Sequence, residues 1–232
     1  MELIKLLLLT APNYKHPKPL EEFKSSTDLT WVICALGQPQ VLEKALPKQF
    51  PPQCKHVAAQ RVLDELVQEE KLTFKRLSVP EAECHIAEWG RLTLVSCQTL
   101  FFFDAILRWH QKSANDTPLR VYHLLDSGIA VKSLCYKLGI KPNQLIIMHD
   151  DYKLALGKVE LVNVDTPTSH KGVADVAEKM GVKGLVRLSI GIGLKPKSTH
   201  KVDFVMANFT PDEYDQLKTC LPEVKSTLLR LI

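Results

Sequence analysis

The feature that most limits this chain is the run Leu145-Ile146-Ile147-Met148, apolar at every position and followed at once by His149-Asp150-Asp151. The spacing predicts a strand over 144–148. A strand with apolar side chains on both faces must be covered on both, as the central strands of parallel sheets are. The three polar residues then fall at the carboxyl end of a buried strand, where open α/β sheets place their sites. Asp150-Asp151-Tyr152 also reads as a turn, and both readings stay open at this stage.

The rest of the pattern agrees with a layered α/β chain. Strands are predicted over 31–36, 73–77, 83–88, 91–96, 158–164 and 186–190, with Gly90 as a hairpin turn. A helix is predicted over 54–70, because Val57, Ala58, Val62, Leu63, Leu66 and Val67 recur at three- and four-residue intervals. Further helices are predicted over 127–138, ended by Gly139 as a left-handed cap, and over 171–180. A closing segment begins at 203–207, and a last helix is predicted over 211–231 with Thr210 as N-cap and Pro211 at its first position. The fold class is therefore α/β: a single-domain α/β/α sandwich around a twisted mixed sheet. Residues 1–28, Pro-rich and polar over 11–28, read as an extended arm or linker. Residues 29–232 form the domain, with an insertion near 101–123.

Composition excludes little but is consistent. No stretch approaches the roughly 20 apolar residues that cross a bilayer, so no membrane association is expected. The first residues lack a basic leader and no arginine precedes Arg61, so neither a secretory signal nor an organelle leader is expected. The cytoplasm is the expected location, with the mitochondrion as the alternative. The six cysteines show no CxxC or Cys/His ligand spacing. Neither a disulfide framework nor a metal site is expected, and Cys34, Cys97 and Cys135 read as reduced, core-packed thiols. A net charge of +4 is compatible with a nucleic-acid partner without demanding one.

Three places bring polar residues to strand ends: Gly37-Gln38-Pro39 with nearby Lys55-His56, then His149-Asp150-Asp151, then Ser169-His170-Lys171-Gly172. Neighbouring side chains on a strand point to opposite faces. His149 and Asp150 are thus not expected to serve one site together. His170 can cap the helix it precedes, while Lys171 in the first turn opposes the helix dipole and points toward a phosphate. Gly191-Ile192-Gly193 lacks a third glycine at dinucleotide-binding spacing, and no cofactor is expected.

The order of these motifs resembles the bacterial-type peptidyl-tRNA hydrolase family. Ile146 to Asp151 followed by Leu156-Gly157-Lys158-Val159 is similar to its strand–HD–loop–LG segment. Ser169-His170-Lys171-Gly172 is similar to its GHNG loop, and Arg187 to Gly193 to its R-L-x-I-G-I-G strand. Val202 to Phe209 resembles its V-x-x-F-V-L-x-x-F segment. Ala35 to Pro39 resembles its GLGNPG turn, Lys55-His56 its RHN helix start and Asp126-Ser127-Gly128 its L-S-G. The likeness spans roughly 30–232 and is densest in the second half.

The resemblance implies hydrolysis of the ester joining a peptide to the 3′ ribose of tRNA, which frees the tRNA for translation. It places the catalytic histidine on His56, its orienting aspartate on Asp150, and substrate-binding positions on Gln38, His170, Lys171 and Leu125. The implied partner is tRNA, with ribosome association and a monomeric chain as further expectations. The sequence departs from the pattern where amides are wanted: Gln38, Val57 and Lys171 stand in place of asparagines. The family's M-N pair falls on the apolar Leu124-Leu125, or on Phe101-Phe102 if the insertion lies between. The alternative is therefore a relative of little activity that binds RNA or assists a ribosomal or splicing assembly. Lys132, Lys137, Lys141, Lys171, Lys195, Lys197 and Lys201 are the candidates to meet RNA phosphates.

Overall fold

A computed structural model describes residues 31–37, 54–79, 82–99 and 127–231. Expectations for the arm at 1–28, the insertion at 101–123, Gln38 and Leu125 lie outside the described residues. The described elements, in order, are β1 (Trp31–Ala35), a 3-10 turn (Lys55–Val57), α1 (Ala58–Glu69), β2 (Lys75–Val79), β3 (Ala82–Trp89) and β4 (Leu92–Thr99). Then follow α2 (Ser127–Leu138), a 3-10 turn (Pro142–Gln144), β5 (Leu145–Asp151), β6 (Val159–Val162) and α3 (Lys171–Met180). The chain closes with β7 (Val186–Gly191), α4 (Lys201–Met206), α5 (Pro211–Lys218) and α6 (Leu221–Leu229).

The strands join one mixed sheet in the order β2-β3-β4-β1-β5-β7-β6. β4, β1, β5 and β7 run parallel, and the outer pairs β2–β3, β3–β4 and β6–β7 are antiparallel. The apolar run of β5 lies between β1 and β7 with Leu145, Ile146, Ile147 and Met148 fully buried, as its sequence demands. Alternation divides those side chains between two cores. Ile146 and Met148 pack with Ile33, Leu188, Leu63 and Leu66 under α1 and the C-terminal helices. Leu145 and Ile147 pack with Val32, Cys34, Leu134 and Val176 under α2 and α3. Helices on both faces make this an α/β/α sandwich, the class that periodicity predicts.

The topology itself marks a crevice. From β1 the chain builds β2, β3 and β4 to one side, then crosses to β5 on the other, so neighbouring strand ends diverge there. Gly37 leaves β1 with φ +143°, and a Cβ on it would stand 2.9 Å from Cβ of Gln60. This close approach brings the start of α1 against the end of β1. The 3-10 turn that precedes α1 therefore faces the end of β5.

Several boundaries differ from expectation. β5 does not stop at Met148: Asp150 and Asp151 pair with Ile190 and Gly191 of β7, so the polar triplet is strand and the turn reading is set aside. The helix predicted over 211–231 is two. Thr210 and Glu213 form a reciprocal cap on α5, with Thr210 Oγ1 accepting the Glu213 N–H at 3.2 Å and Glu213 Oε2 the Thr210 N–H at 2.9 Å. Pro222, which has no N–H to continue the ladder, then breaks the run, and α6 begins at Leu221. Cys84 and Cys97, opposite one another on β3 and β4, form a disulfide, against the expectation that Cys97 is a reduced thiol. The spacing conceals this because the pairing depends on hairpin register. Cys34 and Cys135 are free and buried, as expected. Gly139 ends α2 at φ +66°, the left-handed conformation predicted for it.

Candidate functional site

Asp150 points from the end of β5 into a polar cluster and is 4 % exposed. The 3-10 turn before α1 presents His56, whose Nδ1 stands 2.8 Å from Asp150 Oδ1. That turn is fastened by the Lys55 N–H, which donates to the Ala207 carbonyl at 2.9 Å, and by a bridge between Cys54 and Asn208. His170, at the entrance to α3, reaches the same oxygen from the other side. Its Nε2 lies 3.1 Å from Asp150 Oδ1, while its Nδ1 accepts the Val173 N–H at 3.2 Å. A ring nitrogen that accepts from a backbone N–H carries no proton, so the His170 proton sits on Nε2 and is donated to Asp150. His170 thus caps the helix and reaches the cluster at once; the two readings do not compete.

The electrostatics follow from this arrangement. Burial alone would push the Asp150 carboxyl up, but His56 and His170 outweigh it and hold the group well below the usual carboxylate range. Burial pulls His56 down, the Asp150 charge and hydrogen bonding pull it up more, Lys201 opposes weakly, and the net is a value raised above 6.5. Asp150 is the fixed anion. His56 is the group that can gain or lose a proton. Its Nε2 has no hydrogen-bond partner among the described residues, and its Nδ1, although close to Asp150, is off the line of a well-directed hydrogen bond.

His149 behaves differently. Its Nδ1 donates to the Asp150 backbone carbonyl at 2.8 Å, and its Nε2 accepts from the Ser189 hydroxyl at 3.2 Å. Burial and the nearby His170 push it down to about 4, so it is neutral near pH 7. Its parity on β5 turns it toward the α2/α3 face, while Asp150 shares the face of Ile146 and Met148, as strand alternation predicts. The two nonetheless come close to one another at the strand end. The His170 ring lies across the strand end, its centre 4.9 Å from that of His149 and 5.3 Å from that of His56, and both His149 and Asp150 line one cleft.

That cleft measures about 510 Å³ and runs from α4, with Lys201, Val202 and Met206, across the histidines to Arg187 and Glu160. Lys171 lies on its lining with an exposed side chain. Lys201 donates to the Ser169 carbonyl at 2.8 Å and lies 5.0 Å from the Tyr152 ring centre, which secures the loop before His170. Lys195, another candidate for phosphate, instead donates to the Pro196 and Thr199 carbonyls, both at 2.8 Å, and closes its own loop. His56, Asp150 and His170 form a cluster of metal-ligand type, their ligand atoms all within 4.8 Å of one another. Two histidine nitrogens turned on one carboxylate oxygen are equally the pattern of a proton-sharing triad.

Sequence reasoning brought His56, Asp150 and His170 to one place and gave no role to Ser189 or Arg187. The signal was available. In β7 the polar Arg187 and Ser189 alternate with apolar Leu188 and Ile190, so both share a face with His149. Arg187 donates to the Thr166 carbonyl at 2.9 Å.

A histidine–aspartate pair at the diverging carboxyl ends of parallel strands defines an α/β protein equipped for acid–base chemistry. The family model described as peptidyl-tRNA hydrolase matches residues 120–232. The peptidyl-tRNA hydrolase of Gloeobacter violaceus is 30% identical over 108 residues, covering 45% of this chain and 54% of the relative. That of Lactiplantibacillus plantarum is 34% identical over 110 residues, covering 46% and 59%. The chain thus spans about half the length of the curated relatives it matches. The crystal structure of the Acinetobacter baumannii peptidyl-tRNA hydrolase superposes with a TM-score of 0.63 at 19% identity, covering 90% of this chain and 91% of that one, a likeness of fold. The second half of the chain is thus similar to the peptidyl-tRNA hydrolase family, and the fold as a whole is similar to that family's solved structures.

Proposed function

We propose that the chain hydrolyses the ester between peptide and tRNA in peptidyl-tRNA, releasing free tRNA for translation. The observation that carries this reading is the contact between His56 Nδ1 and Asp150 Oδ1 at 2.8 Å, beside a cleft and with His56 Nε2 free of partners among the described residues. In the neutral imidazole, Nδ1 keeps its proton toward Asp150 and the Nε2 lone pair takes one from water as that water attacks the ester carbonyl. Asp150 fixes the tautomer and stabilises the imidazolium as it forms. Protonated Nε2 then returns the proton to the leaving 3′ oxygen of the ribose.

The developing oxyanion needs donors set in advance. Lys171 on the cleft lining supplies an ammonium where the family resemblance places an asparagine, and Gln38 is the further amide candidate. Lys171 and Lys201 give the cleft cationic groups for phosphates of a tRNA partner. A monomeric chain in the cytoplasm, or alternatively the mitochondrion, belongs to the same reading. Among the described residues no helix is long and apolar enough to cross a membrane.

The test is release of peptide from N-acylated aminoacyl-tRNA, with His56→Ala as control. Turnover at least 100-fold above that control is the expected result, in line with the usual worth of a positioned general base. Salt-sensitive retention of the tRNA without turnover would reduce the role to RNA binding.

A further inference from the structure

The residue before His56 carries a charge into the interior. Lys55 is 6 % exposed, its ammonium paired with Glu213 Oε1 and lying 5.1 and 5.3 Å from the ring centres of Phe204 and Phe209. Glu213 is itself fixed, since its other carboxylate oxygen accepts the Thr210 N–H in the cap of α5. The Phe209 ring lies 6.4 Å from that of Tyr214, whose hydroxyl donates to Glu65 of α1 at 3.1 Å. The turn that holds His56 is therefore tied to α4 and α5 through one side chain, and α5 is tied in turn to α1 through Tyr214.

We infer that Lys55 and Glu213 form a positioning pair that sets the stance of His56 against Asp150; this rests on the hydrolytic reading of the site. The charges that act on the His56 ring are those of Asp150 and Lys201. The Lys55 ammonium is matched by Glu213, so its influence is mechanical. Packing does not require it either, because an apolar side chain fills a space between two phenylalanine rings at least as well as an ammonium does. What the ion pair adds is direction. One defined partner on α5 selects one placement of a turn whose backbone is also held, among the described residues, by the Lys55 N–H bond to Ala207 and the Cys54–Asn208 bridge.

The experiment compares the full chain with Lys55→Met, which keeps an unbranched stem between the rings, and Lys55→Arg, which keeps the charge and suits stacking on aromatic faces. Three quantities are read: kcat and KM on N-acylated aminoacyl-tRNA, the titration of the His56 ring by NMR, and thermal unfolding. In Lys55→Met, kcat falls roughly 10- to 100-fold, the cost of a small misplacement, while KM stays within about twofold. The His56 titration moves down toward 6.5 as its contact with Asp150 loosens. Lys55→Arg restores both. A Lys55→Met protein that unfolds earlier but keeps the rate per folded molecule and the His56 titration has lost only a structural tie, and the inference is then wrong. If Lys55→Met does not fold, Glu213→Gln decides by the same readouts, because it weakens the pair from its more exposed end. If the wild-type chain releases no peptide, the hydrolytic reading fails separately, and the His56 titration alone decides: no shift in either variant overturns the pairing.

Discussion

The two faces of the sheet meet at Asp150, and each brings a histidine held in the opposite condition. On the α1 side His56 touches the buried carboxylate and has its pKa raised. On the α2/α3 side His149 is bound through Ser189 and a backbone carbonyl and is pushed down to about 4. Both rings sit near one strand end and beside the same His170. Burial acts alike on the two, and the difference lies in the partner. A carboxylate oxygen stabilises an imidazolium, whereas a hydroxyl proton and a carbonyl satisfy a neutral imidazole on both nitrogens. On the proposed hydrolytic reading, proton transfer belongs to the first face and rigidity to the second.

The largest way to break this contrast is Asp150→Asn. It removes the anion that lifts His56 and favours the wrong imidazole tautomer, so peptide release falls by roughly 10²- to 10⁴-fold. NMR titration then finds His56 below its wild-type value. A loss of under tenfold would show that Asp150 does not govern the base.

On the opposite face the effect is on stability against acid. An unfolded histidine takes up a proton below about 6.5, whereas folded His149 resists until about 4. Between those values the unfolded chain binds more protons, so stability falls as pH drops from 6.5 toward 4. The whole decline attributable to His149 is about 3 kcal/mol, taking 1.36 kcal/mol per pKa unit. Denaturant unfolding of His149→Asn over that window should show a shallower pH slope, whatever its absolute stability. An unchanged slope would remove His149 from the account.

His170 joins the faces, and His170→Ala sharpens the comparison. Loss of the α3 cap costs about 1 kcal/mol, and Asp150 loses one of its two histidine partners. The predicted signature is a modestly lower unfolding midpoint with His56 titrating higher, since the carboxylate then has only one imidazole to serve. The smallest expected effect is that of Ser189→Ala: about 1 kcal/mol or less of stability from one neutral hydrogen bond, with the release rate within about twofold because Ser189 acts on the neutral histidine.

Much of this was legible in the sequence, and for physical reasons. The apolar β5 run, the bounds of α2 and α3, and the left-handed Gly139 are local consequences of periodicity and capping, and they fall where predicted. His56, Asp150 and His170 were reached through the order of motifs, and the structure brings them to one carboxylate oxygen. What stayed hidden depends on tertiary neighbours. β5 continues through its polar triplet because β7 pairs with it and histidines compensate Asp150. His149 joins the cleft because the His170 ring lies across the sheet end, which no alternation rule describes. The buried Lys55 could not be recognised before Glu213, distant in sequence, was seen to meet it.

If His56 serves as a base under the control of Asp150, as proposed, the pH dependence of peptide release from N-acylated aminoacyl-tRNA is the decisive measurement. The base must be unprotonated, so the rate should climb with pH through a midpoint above 6.5 and then level off. No second transition in the carboxylate range is expected, because Asp150 stays ionised there. Release that does not exceed the His56→Ala background, or a midpoint at or below 6.5, would contradict the account.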